Sequence, residues 1–318
     1  MNETAARYLE PEPVRNRPWW MLGLGALLAN KARYAFRRYA RGRTFPASDI
    51  DRAVEHNLTV FLRLMGCLGE YLGRGPEMRG RTVLELGPGE DLGVGVLALA
   101  SGAARYVAMD AYDLASGAAD VFYRRLLERI EPGEGAKVSL EALRPHLRAR
   151  CASVDDPDSP LCYIRRRDFD VSAAGIGGVD FILSNSALEH FDDPDRTIRQ
   201  LAGAASDDAV FAAQVDLRTL TRYLRDRDPL NIYRYGDRLY RALRSAGSPN
   251  RVRPDEYEAS LLRHGWRDVR VFPLLELRGE YLAAARRGLA ERFRAEESRM
   301  EIVSMVICAR RGPGGGAG

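Results

Sequence analysis

Lysine is nearly missing from this 318-residue chain: Lys31 and Lys137 are the only two among 48 basic residues, and all the others are arginine. Some of those arginines stand beside Asp or Glu, as in Arg165-Arg166-Arg167-Asp168, and 44 acidic residues bring the formal net charge down to only +4. Paired charges of this kind make a solvated surface and exclude a basic stripe for nucleic acid. Long hydrophobic runs are missing too. The most apolar stretch, Trp19 to Ala29, has about eleven residues, where a bilayer span needs about 20. Its basic residues follow rather than precede it, and no small-residue cleavage site is evident, which argues against a secretory leader. Cysteine is scarce: Cys67, Cys151, Cys162 and Cys308 show no Cys-x-x-Cys or Cys/His cluster. That excludes a zinc site or a disulfide framework, leaves no metal to expect, and points to reduced thiols in a cytoplasmic protein.

What is present suits one large α/β domain with an appendage, at 46% hydrophobic and 29% charged residues. Residues Arg81 to Gly93 organise it. Val83, Leu84 and Leu86 read as a strand covered on both faces, running into a turn where Gly87 and Gly89 remove side chains and a following helix aims free amides at any ligand. Any tight strand-to-helix connection also uses two glycines, so the turn by itself does not decide between a cradle and a plain connection. A second strand, Ala104 to Asp110, brings a carboxylate to the next strand end, 23 residues after Gly87, where it can accept from ribose hydroxyls or cap a helix.

Val83-Leu-Glu85-Leu-Gly87-Pro88-Gly89 followed by Asp110 resembles the first motif and ribose acid of the class I S-adenosylmethionine-dependent methyltransferases. Dehydrogenases expect Gly-x-Gly-x-x-Gly, whereas the third glycine here is Gly93, one residue later. The resemblance implies S-adenosyl-L-methionine as cofactor, with Glu85, Gly87, Pro88, Gly89 and Gly93 around its methionine end and Asp110 on its ribose. It also implies that Asp168 and Phe169, after a strand from Leu161, border the adenine, with Asp170 as the rival acid. Asn185-Ser186-Ala187-Leu188-Glu189-His190 and Asp193-Pro194 resemble a second family run after the strand Phe181 to Leu183, which places Asn185 and Ser186 against the cofactor.

The catalytic candidates are His190, a base of the right type near neutral pH or a loop-fixing histidine, and Asp216, at the end of a strand from Val210. A subset of the family has Asp-Leu-Arg-Asp-His here; this chain keeps Asp216-Leu217-Arg218 and Asn250-Arg251-Val252-Arg253 but has Thr219-Leu220 for Asp-His, which removes a possible second base. Residues 223 to 246 are rich in Arg and Tyr, forming either a lid over the acceptor or a solvated helix. Arg218, Tyr233, Tyr235 and Arg251 are the acceptor-binding candidates.

The expected fold is a Rossmann-like, seven-stranded, mostly parallel sheet with an antiparallel terminal strand and an N-terminal helical cap. Residues 1–78 form the cap and arm. Residues 79–311 form the methyltransferase domain, with insertions near 114–160 and 219–250, and 312–318 form a disordered tail. The expected function is methylation of an oxygen or nitrogen on a small-molecule acceptor, natural-product or glycan-like. The alternatives are a cofactor-binding scaffold without catalysis, a nicotinamide-dependent oxidoreductase, and an enzyme peripheral to the membrane with a lipid-linked acceptor, since tryptophans beside the cationic segment after Ala29 suit a headgroup boundary. Oligomeric state and acceptor identity are not legible.

Overall fold

The computed structural model describes residues 6–37, 49–130, 138–148, 159–245 and 247–312. They form one eight-stranded sheet in the order β1-β7-β8-β6-β5-β2-β3-β4. The strands are β1 Arg7–Leu9, β2 Thr82–Leu86, β3 Arg105–Asp110, β4 Leu161–Arg165, β5 Val179–Asn185, β6 Ala205–Asp216, β7 Trp266–Leu277 and β8 Ile302–Arg311. All neighbours are parallel except β8, which runs antiparallel to both β6 and β7. The antiparallel terminal strand is therefore present, and the strand count exceeds the expected seven by β1, a three-residue edge strand paired to β7.

Side chains alternate across the sheet. Val83 faces one layer with Phe181, Leu183 and Ala212, whereas Leu84 and Leu86 face the other with Ile182, Phe211 and Ala213. The first layer holds α2 Ile50–Leu72, α3 Gly93–Ala100, α4 Asp120–Glu128 and α5 Leu140–Arg148. The second holds α6 Pro194–Ala204 and α9 Pro254–Arg263. Local signals explain their limits: Asp193 accepts from the Arg196 amide at 2.9 Å with Pro194 in the first turn of α6, and α2 ends at Gly73, which is left-handed.

Helix α2 is no separate cap. Its Val54, Phe61, Leu64 and Leu68 share one cluster with Val83 and Leu97, so the boundary expected near residue 79 is a turn within a continuous core. A third cluster joins α1 Asn16–Arg37 to residues 230–243, which follow α7 Arg222–Arg225 and include α8 Asp237–Leu243, and to the segment before β8. That segment is a short α10, Glu280–Arg286, followed by two 3-10 turns. The expected tail begins with Gly312, which is buried, while 313–318 lie outside the described residues, as does part of the expected insertion near 114–160. Cys67 and Cys308 are free and buried. Cys162 is disulfide-bonded, which corrects the expectation of reduced thiols throughout. No helix among the described residues is long and apolar enough to cross a membrane.

Candidate active site

Strand order reverses between β2 and β5, and ligands of open α/β sheets sit in the crevice beyond the strand ends at such a point. The turns after the two strands touch there: a Cβ on Gly87 would lie 2.5 Å from Ala187 Cβ. Gly87 (φ 65°) and Gly89 (φ 79°) are both left-handed, with Pro88 between them. A Cβ on Gly89 would meet nothing within 4 Å, so the turn opens a cradle that backbone alone lines. Gly93 behaves differently. It starts α3, donates its amide to Asp91 Oδ1 at 2.8 Å, and leaves no room for a Cβ, which would lie 2.5 Å from Asn57 Oδ1. That corrects its expected cofactor contact: the third glycine lets α2 and α3 approach.

Carboxyl groups crowd around the cradle. Asp110 accepts from the Tyr112 amide at 2.9 Å and from the Gly89 and Ala111 amides, and burial raises its pKa. Glu85 is 3% exposed, accepts from Tyr106 Oη, and is pushed up to about 8 by burial, with Asp91 and Asp110 adding repulsion. Burial lifts Asp91 to about 6. Buried acids facing one another favour a ligand that brings positive charge. Across the crevice Asn185 Oδ1 is buried and takes no hydrogen bond, while Ser186 holds a strained φ of 50°. A backbone cradle, an acid for vicinal hydroxyls, an unsatisfied acceptor and carboxyls for cationic groups fit S-adenosyl-L-methionine. Past β4, Asp168 is exposed and forked by Arg166 at 2.8 and 3.1 Å, and the Phe169 ring lies 4.2 Å from that of Phe191. Asp170 caps a turn through the Ala173 amide at 2.9 Å.

After β5 the 3-10 turn Leu188–His190 is held from outside the sheet. Asn250 donates its amide to Glu189 O and its side chain to Leu188 O, both at 2.7 Å. His190 Nδ1 lies 2.7 Å from Gly247 O. A carbonyl only accepts, so Nδ1 carries the proton and the neutral ring leaves Nε2 as a base. Burial lowers the His190 pKa, which favours that neutral form. His190 lines a cavity of about 700 Å³, with α1 through Asn30, Arg33 and Tyr34 on one wall and Thr219, Tyr223 and Ser248 on others. Another cleft, of about 290 Å³, lies at the opposite ends of the strands around Arg81 and Asp180, away from the crevice.

Several candidates fall elsewhere. Asp216 is 7% exposed, and its oxygens take the Arg218 guanidinium at 3.0 Å twice, the Arg218 amide at 3.1 Å and the Arg225 guanidinium. Its lone pairs are committed to arginines, which corrects both its role as a proton acceptor and that of Arg218 as a free acceptor clamp. Tyr233 is 1% exposed and donates to Leu217 O at 2.7 Å, while Tyr235 is fully buried and donates to Trp20 O at 2.8 Å. Arg251 is 3% exposed and spends its guanidinium on Ile232 O, Tyr235 O and Asp237 over the Tyr240 ring. These three hold the insertion together rather than face an acceptor.

Glu189 went unassigned in the sequence. It is 2% exposed, accepts from the Asp216 amide at 3.3 Å, and is pushed up to about 8 by burial. The cavity walls Asn30, Arg33, Tyr34 and Ser248 were missed as well. Nothing local marks them, because α1 meets residues 219–249 only in the tertiary fold.

The family model described as a methyltransferase domain matches residues 33–271. No curated protein matches the chain. Among solved structures, the carbon methyltransferase CurJ is 14% identical over 92% of this chain and 67% of its own, at a TM-score of 0.49. An S-adenosylmethionine-dependent methyltransferase from Mesorhizobium loti is 17% identical over 76% and 96%, at 0.39. A phosphoethanolamine N-methyltransferase from Haemonchus contortus, in complex with phosphomonomethylethanolamine and S-adenosylhomocysteine, is 12% identical over 94% and 61%, at 0.41. Each TM-score is below 0.5, so membership rests on the family model.

Proposed function

The chain belongs to the methyltransferase domain family, and we propose that it methylates an oxygen or nitrogen of a small-molecule acceptor bound in the cavity beside His190. Its cofactor is S-adenosyl-L-methionine, which supplies a methyl group already activated on a sulfonium sulfur. Gly87, Gly89 and Asp110 bind it from β2 and β3, and Asn185 and Ser186 bind it from β5. Asp168 and Phe169 border its base. What the remaining residues must do is orient the acceptor, keep water out and move one proton.

The observation that carries this reading is the orientation of His190. Its Nδ1–H is spent on Gly247 O, and the ring stands in the wall of a cavity large enough for a small molecule. Nε2 then takes the proton from the acceptor's hydroxyl or amine as the new bond forms. Asp216 acts at one remove, pairing Arg218 and Arg225 and accepting nothing from the acceptor.

Turnover across a panel of hydroxyl and amine acceptors tests the proposal. His190→Ala should lower turnover at least about tenfold with cofactor affinity unchanged. The base works unprotonated and burial lowers its pKa, so activity should persist below pH 6.5, the ordinary histidine value, and fall only at lower pH. Unimpaired turnover in His190→Ala would sink the base assignment. Tight cofactor binding without methyl transfer to any panel member would sink the choice of acceptor class.

A further inference from the structure

Helix α1 carries apolar residues on two sides, yet only one of them is covered. Toward the fold it packs Leu24 and Leu27 into the cluster around Tyr235, and seats Gly23 where a Cβ would come within 1.8 Å of Asn231 Oδ1. It also hangs Asn30 on Thr221 at 3.2 Å. On the other side Met21, Leu22, Gly25, Leu28, Ala29 and Phe36 fall within an arc of about 120° at helical spacing. All six are exposed, Met21 by 62% and Phe36 by 89%. Other large apolar side chains exposed among the described residues, such as Leu62, Val121 and Leu262, stand on separate elements. A continuous stripe of this length is an interaction surface.

Charge selects the occupant. Helix α1 carries four cations and no acid, with exposed Arg17 on one flank of the stripe and Arg33 on the other, while Lys31 donates to the Ala242 carbonyl. Apolar residues between cations, on a helix with no acid, match the acyl boundary and headgroups of an anionic lipid surface. Because no helix of the described residues can cross a bilayer, α1 would lie in the surface and not span it.

The geometry points to α1 as an interfacial helix that docks this enzyme on an anionic membrane. The face of α1 next to the stripe walls the His190 cavity through Leu27, Asn30, Arg33 and Tyr34. On the reading of that cavity as the acceptor site, docking brings it to the lipid boundary, and the acceptor is an amphiphile whose apolar tail stays in the membrane.

The test is co-sedimentation of the full chain with phosphatidylcholine vesicles, with and without phosphatidylglycerol, in the absence of any acceptor. Binding is expected to the phosphatidylglycerol vesicles alone and to be released by high salt. The variant Met21→Ser/Leu28→Ser/Phe36→Ser touches no cavity wall. It should bind vesicles at least about tenfold less while keeping cofactor affinity by calorimetry. Failure to bind anionic vesicles, equal binding to both kinds, or wild-type binding by the triple variant would each overturn the proposal. So would a dimer in ultracentrifugation that the triple variant abolishes, since the stripe would then belong to a second copy. The vesicle assay needs no turnover, so a failed acceptor panel leaves it standing, and failed vesicle binding leaves the His190 assignment untouched.

Discussion

The two sides of the crevice are built by opposite means. On the cofactor side, left-handed glycines, an open cradle at Gly89 and three buried acids shape the site largely with backbone and short carboxyls. On the acceptor side, between β6 and α9, long side chains do the shaping. Asp228 and Arg234 form a fully buried ion pair, which Tyr281, Asn231 and Asn16 complete. Arg253 donates to the backbone oxygens of Ser298, Arg299 and Ile302. A backbone-built site leaves a motif at fixed spacing. A site built by arginine and tyrosine leaves only composition, because the same residues read alike whether they bind a ligand or hold a loop.

The sharpest way to break that contrast is to remove one partner of the buried pair. Asp228→Ala leaves the Arg234 guanidinium without its counter-charge at 0% exposure and should lower unfolding stability by about 3–5 kcal/mol in urea denaturation. Asp228→Leu/Arg234→Met should lose less, because neither charge is then left alone. A small effect of Asp228→Ala would mean the acceptor side does not depend on its arginine network.

On the other side the expected damage is to binding. Gly87→Ala combines a φ of 65° with a contact of 2.5 Å to Ala187 Cβ and should weaken cofactor binding by about 1–3 kcal/mol in calorimetry. Asp110→Ala should weaken it by a similar ~1–3 kcal/mol through lost charge-assisted hydrogen bonds, with little change in stability. Wild-type affinity in either variant would remove the cradle from the cofactor site.

The last expected effect is one of pH and concerns Glu85. Its carboxyl is held up at about 8 from an ordinary 4.5, so the folded protein keeps a proton there that the unfolded chain has lost. Stability should therefore fall as pH rises from about 5 to about 8. Glu85→Gln, which cannot ionise, should flatten part of that slope in thermal unfolding followed across pH, and an unchanged slope would show that Glu85 is not held protonated.

The strand-turn-helix from Val83 to Gly93, the acid at Asp110, the His190 turn and the antiparallel ending were legible because each depends on local spacing. A strand end and its turn are contiguous in sequence, so their chemistry is written in order. Gly93 was read as cradle because the sequence does not show that Asn57, from a helix read as part of a separate cap, occupies the space where its Cβ would go. Tyr233, Tyr235, Arg218 and Arg251 were read as acceptor contacts for the same reason: burial decides whether a guanidinium or a phenol is spent internally, and burial is set by elements far away in the chain. The sequence by itself therefore determined the fold class, the cofactor and the edge of the sheet where the chemistry lies. Only the tertiary structure decided which arginines and tyrosines are structural, that α1 walls the His190 cavity, and that one apolar face of that helix is left bare, because each depends on packing between segments some 200 residues apart, as in the Tyr235 to Trp20 hydrogen bond at a separation of 215.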